Sequence, residues 1–247
     1  MMLTQTAENS MHLELGLVGP ESIPTWLDLG SVAVGAVFGA TLGTSRKAPL
    51  IGVLLLAGVI GFGGGILRDL FLGVPINALT SNSYIITVAV AALIAIMLGD
   101  RLVRPLWVLL MLDALVMGLF VVIGTEKALI LNFPAGSAIF VGTVAAIGGG
   151  IIADLLTGEL PVVMKRGPWQ ASIALACAIW FVAIDQIHHQ AFTEISTIVL
   201  AVAIRGMTLW RGWEAPHADH LSITKWRERM LGKSQQPQIP DQQEKSR

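Results

Sequence analysis

Charge, cysteine and tyrosine are scarce in this chain. Charged residues make up 13% of it, about half the share usual in a soluble domain. That leaves too little polar surface to cover a water-soluble globule of this size. The single cysteine, Cys177, excludes an intrachain disulfide and a thiolate metal site. No lysine or arginine occurs in the first 25 residues. The basic start of a cleavable signal is therefore missing, and the first apolar span is expected to act as the insertion signal. A Walker loop, an HExxH helix, a catalytic triad and a basic-aromatic nucleic-acid surface are all absent. Neither an enzyme nor a nucleic-acid binder is the reading, and no cofactor is called for.

What is abundant is apolar, at 54% of residues, and it comes in long blocks. Residues 70–99 and 128–153 contain no Asp, Glu, Lys or Arg. A membrane span needs roughly 20 mainly apolar residues, and helix is the expected state because lipid offers no partner to exposed backbone. Seven spans are predicted, at 26–44, 49–72, 83–99, 105–125, 135–157, 167–187 and 192–210. Loops one, three and five carry Arg46, Lys47, Arg101, Arg104, Lys165 and Arg166, against Lys127 alone in the even loops. The positive-inside rule then places the N-terminus outside and the C-terminus in the cytoplasm of a bacterial inner membrane. The seventh span holds Glu194 and Arg205, the latter expected to snorkel to the interface. Within the tail, His220 to Leu231 reads as a short surface helix near anionic lipid.

The chain also repeats itself, at an offset of 85 residues from Gly63 to Gly148. Gly63, Gly64 and Gly65 recur as Gly148, Gly149 and Gly150, with Asp69-Leu70 recurring as Asp154-Leu155. Leu27-Asp28 matches Leu112-Asp113, Gly39 matches Gly124, and Gly73 matches Gly158. The organisation expected is an outer segment 1–25, a first repeat 26–103, a second 104–190, a seventh helix 191–210 and a basic tail 211–247. Three spans per repeat is an odd number, so the second copy enters the membrane from the opposite side. Such inverted repeats carry their site near the midplane, between the copies.

Three successive glycines weaken a helix by roughly 1 kcal/mol each relative to alanine. Duplicated in matched positions, they are expected to break the second and fifth helices and free carbonyls for a cation. Close helix packing is the competing reading, and the preferred one for Gly35, Gly39 and Gly43. The ionisable residues in or near the spans are Asp28, Arg68, Asp69, Asp113 and Asp154. Neighbours in sequence, Arg68 and Asp69 should point apart on a helix, which makes Asp113 or Asp154 the expected partner of Arg68. Ala153 stands where the first copy has Arg68. Four aspartates against one arginine would leave a surplus of negative charge, attractive to cations. His188 and His189 read as solvated loop residues, and Met97, Met111 and Met117 as apolar filler.

At the glycine triplets the chain becomes recognisable. Gly61 to Pro75, with Gly148 to Pro161, resembles the bacterial TRIC-like family, also called UPF0126 or the glycine transporter domain. Leu112-Asp113-Ala114-Leu115 through Gly124, Lys127-Ala128-Leu129, and Val202 to Trp213 are similar to its fourth and last spans. The resemblance implies seven helices, glycine-kinked second and fifth helices, a homotrimer in lipid, and a pore for potassium within each subunit. It puts Gly63, Gly64, Gly65, Gly148, Gly149 and Gly150 at the kinks, with Arg68, Asp69 and Asp154 beside them. Glycine uptake, the activity in the family's other name, is the alternative. The resemblance also implies Arg-Asp after both triplets, and Ala153-Asp154 departs from that pattern.

Overall fold

A computed structural model of the chain describes residues 23–99, 105–165, 169–185 and 190–211. The expectations about His188 and His189, the segment before residue 23 and the tail beyond Arg211 lie outside these residues. Among the described residues there are eight α-helices, one 3-10 turn and no strand. Seven helices are long: α1 (Thr25–Ser45), α2 (Leu50–Leu72), α3 (Asn82–Leu98), α4 (Leu106–Ile130), α5 (Ala135–Leu156), α6 (Gln170–Asp185) and α7 (Gln190–Arg211). A four-residue helix, Asn77–Thr80, follows α2, and the 3-10 turn Val162–Met164 follows α5.

Five of these, α1, α2, α4, α5 and α7, are long and apolar enough to cross a membrane. The third helix of each repeat is shorter, at 17 residues in α3 and 16 in α6. Large apolar side chains such as Leu54, Leu55, Ile85, Ile86, Leu93, Phe140 and Val199 are exposed on the outside. Trp26 and Trp107 stand exposed at helix starts, where interfacial anchors belong. The inside is lined by small residues and a few large ones, among them Ala36, Ala57, Ala145, Met117 and Phe120.

The backbone repeats as the sequence does. Lys47 and Asn132 both take positive φ, at 56° and 61°, in the turns after α1 and α4. In each turn a backbone N–H reaches back to the helix end, Ala48 to Gly43 O and Phe133 to Ala128 O. Gly73 and Gly158 end α2 and α5 with φ of 66° and 72°, a conformation glycine adopts without steric cost. The end of α1 at Arg46 meets the end of α5 at Asp154, while the end of α2 at Asp69 meets the end of α4 at Lys127. Helices α1 and α4 therefore run in opposite directions, and the second unit is inverted relative to the first. Helix α7 lies against α4 and α6, outside that relation.

The expected glycine breaks are not there. Helices α2 and α5 run continuously through Gly63, Gly64 and Gly65 and through Gly148, Gly149 and Gly150. A side chain on Gly63 would lie 2.8 Å from Gly149 Cα, and one on Gly64 would collide with Ala145 O. The missing side chains are spent on bringing α2 and α5 backbone to backbone. Lipid supplies no hydrophobic drive for helices to associate, so close packing has to hold them. The same device joins α1 to α2, where Gly39 faces Leu56 O, and α4 to α5, where Gly124 faces Gly142.

Candidate functional site

Each end of the bundle carries a buried ionic cluster. At the first, Arg68 is 2% exposed and Asp69 1%. Arg68 Nη1 donates to Asp28 Oδ1 at 2.9 Å, and its Nε donates to Asp69 Oδ1 at 2.8 Å. Lys127 Nζ, from the end of α4, also donates to Asp69 Oδ1, at 2.7 Å. Asp69 Oδ2 accepts from the backbone N–H of Asn77 at 3.1 Å, fastening the chain that returns after α2. Asp28 Oδ2 accepts from Tyr84 Oη at 2.6 Å and from Asn77 Nδ2 at 3.4 Å. Two carboxylates thus face two cations, and each carboxylate also accepts neutral hydrogen bonds, the condition for holding charge away from water.

The second cluster repeats this plan with different side chains. Asp154 Oδ2 accepts from the backbone N–H of Val162 at 3.0 Å, the counterpart of the Asp69–Asn77 bond. Asp154 Oδ1 pairs with Arg46 Nη2 at 3.1 Å, the counterpart of Asp69–Lys127. Arg46 also reaches Thr157 Oγ1 at 2.7 Å and Glu159 at 3.4 Å. Glu159, beyond the end of α5, is held below the usual glutamate range by a hydrogen bond from Lys165 and by the Arg46 charge. Asp113, the counterpart of Asp28, accepts from Gln170 Nε2 at 3.1 Å and from Arg205 Nη2 at 2.6 Å.

Several sequence expectations are corrected here. Arg68 pairs inside its own repeat, with Asp28 and Asp69, and not with Asp113 or Asp154. Its long side chain curls back to its neighbour's carboxylate, so adjacent positions on a helix still meet. The surplus counted on the four aspartates is not there, since each has a cationic partner, while the buried Glu126 accepts from the neutral Gln190. Arg68, Lys127, Arg46 and Arg205 stand against Asp28, Asp69, Asp154 and Asp113. Arg205 does not snorkel outward, being 3% exposed and bound to Asp113.

Sequence reading overlooked the roles of Arg46, Lys127 and Arg205. At the repeat offset Arg46 aligns with Leu131, and Lys127 with Leu42. The two cations do the same work from positions out of register, so self-comparison passes over them. Their common signal is position, in the last turn of the first helix of each repeat or just after it. Glu126, also passed over, is buried on the α7 side of α4 and accepts a hydrogen bond from Gln190.

Between the clusters lies the α2–α5 crossing. Beside Gly64, Phe120, Ala145, Gly149 and Gly150 it leaves a cavity of about 10 Å³, about the least that admits one water. The third glycine of each triplet behaves differently from the first two. A side chain added at Gly150 would meet nothing within 4 Å, and one at Gly65 only Arg68 Nη2 at 3.9 Å.

The Glycine transporter family model matches the chain twice, over residues 25–100 and 110–186. The chain belongs to this family. A UPF0126 membrane protein of Deinococcus radiodurans is 36% identical over 162 residues, covering 64% of this chain and 75% of the relative. The UPF0126 inner membrane protein YadS of Escherichia coli K12 is 31% identical over 188 residues, covering 74% and 86%. Among solved structures, the TRIC trimeric intracellular cation channel orthologue from Rhodobacter sphaeroides superposes with a TM-score of 0.70 at 31% identity. The match covers 76% of this chain and 98% of that one. A second TRIC cation channel structure gives 0.69 at 25% identity, over 79% and 97%. This UPF0126 protein is therefore a helical membrane protein with the fold of the TRIC channels.

Proposed function

We propose that this UPF0126 protein is a monovalent-cation channel, with potassium its physiological ion and a pathway inside each chain between the two inverted units. The observation that carries the reading is the pair of open backbone positions, Gly65 and Gly150, at the α2–α5 crossing between two ionic clusters. The likeness to TRIC cation channels over three quarters of the chain supports it. A cavity of about 10 Å³ at this crossing is too small to pass a hydrated ion, so on this reading conduction requires the crossing to open. Opening would separate α2 from α5 and release Lys127 from Asp69 or Arg46 from Asp154. The freed carboxylates and nearby carbonyls, with Asp113, would then replace part of the ion's hydration. Within this reading the protein is a homotrimer in the inner membrane, with the second cluster at the cytoplasmic face.

The test is potassium flux from liposomes holding purified protein, followed with a voltage-sensitive dye. Potassium, and not a bulky organic cation, should collapse the gradient. Absence of any flux would overturn the reading. The name of the family model favours a second one, secondary transport of glycine or a similar small zwitterion. Saturable exchange of labelled glycine in the same vesicles, without potassium flux, would establish that instead.

A further inference from the structure

Among the differences between the two clusters, one is in the pairing of the aspartate on the first helix of each unit. Asp28 and Asp113 are equivalent in the repeat, yet Asp28 is paired by Arg68 of its own repeat and Asp113 by Arg205 of α7. Where α2 has Arg68, α5 has the fully buried Ala153. A lone carboxylate at Asp113, whose side chain is 13% exposed, would be expensive at this depth. We propose that Arg205 is the positioning residue of the second cluster, supplying from the seventh helix the guanidinium that the second repeat lacks. Helix α7 lies outside the duplicated unit, so this contact makes it a working part of the pathway.

The consequence is an asymmetry between the two ends. Arg68 is anchored twice, by Asp28 and Asp69, both on helices of the first unit. Arg205 is anchored through Nη2 alone, while its Nε and Nη1 are buried without a protein partner. A guanidinium held at one atom, on a helix packed against α4 and α6, is the more easily displaced of the two. Movement of α7 therefore acts on Asp113 directly, whereas no residue of α7 pairs with Asp28 or Asp69 among the described contacts.

The effect on conduction rests on the channel reading, but the ion pair does not, and the tests separate the two. Thermal midpoints of the full chain in detergent are compared for Asp113→Asn, Arg205→Gln and the double variant. Each single change should lower the midpoint, and the double should lose less than the two losses added. Additive losses would overturn the pairing, whatever the protein conducts. In liposomes, Arg205→Ala should lose most of its potassium flux. Adding Ala153→Arg to it should restore flux and midpoint together, whereas adding Ala153→Gln should restore neither. Equal rescue by glutamine would mean that volume, not charge, is what the site needs, and would sink the proposal. Full flux and an unshifted midpoint in Arg205→Ala would sink it too.

Discussion

Asp69 shows how much one carboxylate does here. It accepts from a guanidinium, an ammonium and a backbone N–H while 1% exposed. Removing one partner of a buried ionic set costs about 3–5 kcal/mol, because the remaining charge stays away from water. Asp69→Asn keeps the shape and strands Lys127, so a loss of that order is expected in thermal unfolding of the detergent-solubilised protein. Asp154→Asn should cost clearly less, since Arg46 is 22% exposed in its side chain and retains Thr157 and Glu159. Equal losses would mean that the two inter-repeat pairs carry the same burden. The aspartates themselves were legible in the sequence, because they recur with the glycines. Their partners were not. A cation can reach a carboxylate from either side of several ångströms of side chain, so pairing is not encoded by sequence offset.

Among the elements, the glycine triplets decide between packing and pathway. Gly64 is closed by Ala145 O, so Gly64→Ala must push α2 and α5 apart. A backbone atom cannot yield as a flexible side chain would, and a destabilisation of roughly 1–3 kcal/mol is expected from the overpacking. Gly150→Ala meets open space and should stabilise the helix slightly, by up to about 1 kcal/mol. If the pathway runs past Gly150, the same variant folds normally yet conducts less, as read by potassium flux at matched protein content. Undiminished flux would leave the triplets a packing device alone. Composition made the triplets conspicuous but misled about their local conformation. Glycine's helix penalty is small beside the gain from two backbones in contact, and only the facing helix reveals that gain.

For the whole molecule, the outer surface of each chain is broadly apolar, with both units contributing exposed large side chains. The homotrimer proposed for this protein would cover part of that surface. Mass measured in nanodiscs or native detergent should then be three times the 26.3 kDa of one chain. A single-chain mass at all concentrations would remove the trimer and leave the proposal of a pathway within one chain untouched.

By itself the sequence determined that this is a helical membrane protein, where its long helices run, and that two halves share one plan. Hydropathy and self-similarity are properties of consecutive residues, and the bilayer imposes a simple length rule on them. Helix α4 nevertheless ran on to Ile130, past the predicted end at 125, because Lys127 pairs with Asp69 and Glu126 accepts from Gln190 inside the bundle. Only the tertiary structure decided that the glycine helices stay whole and that each of the four aspartates meets a cation. It alone brought Arg205, from outside the repeat, to the aspartate that Ala153 leaves unpaired. Those outcomes depend on which surfaces meet, and residues as far apart as Asp113 and Arg205 meet only when every helix between them has been packed.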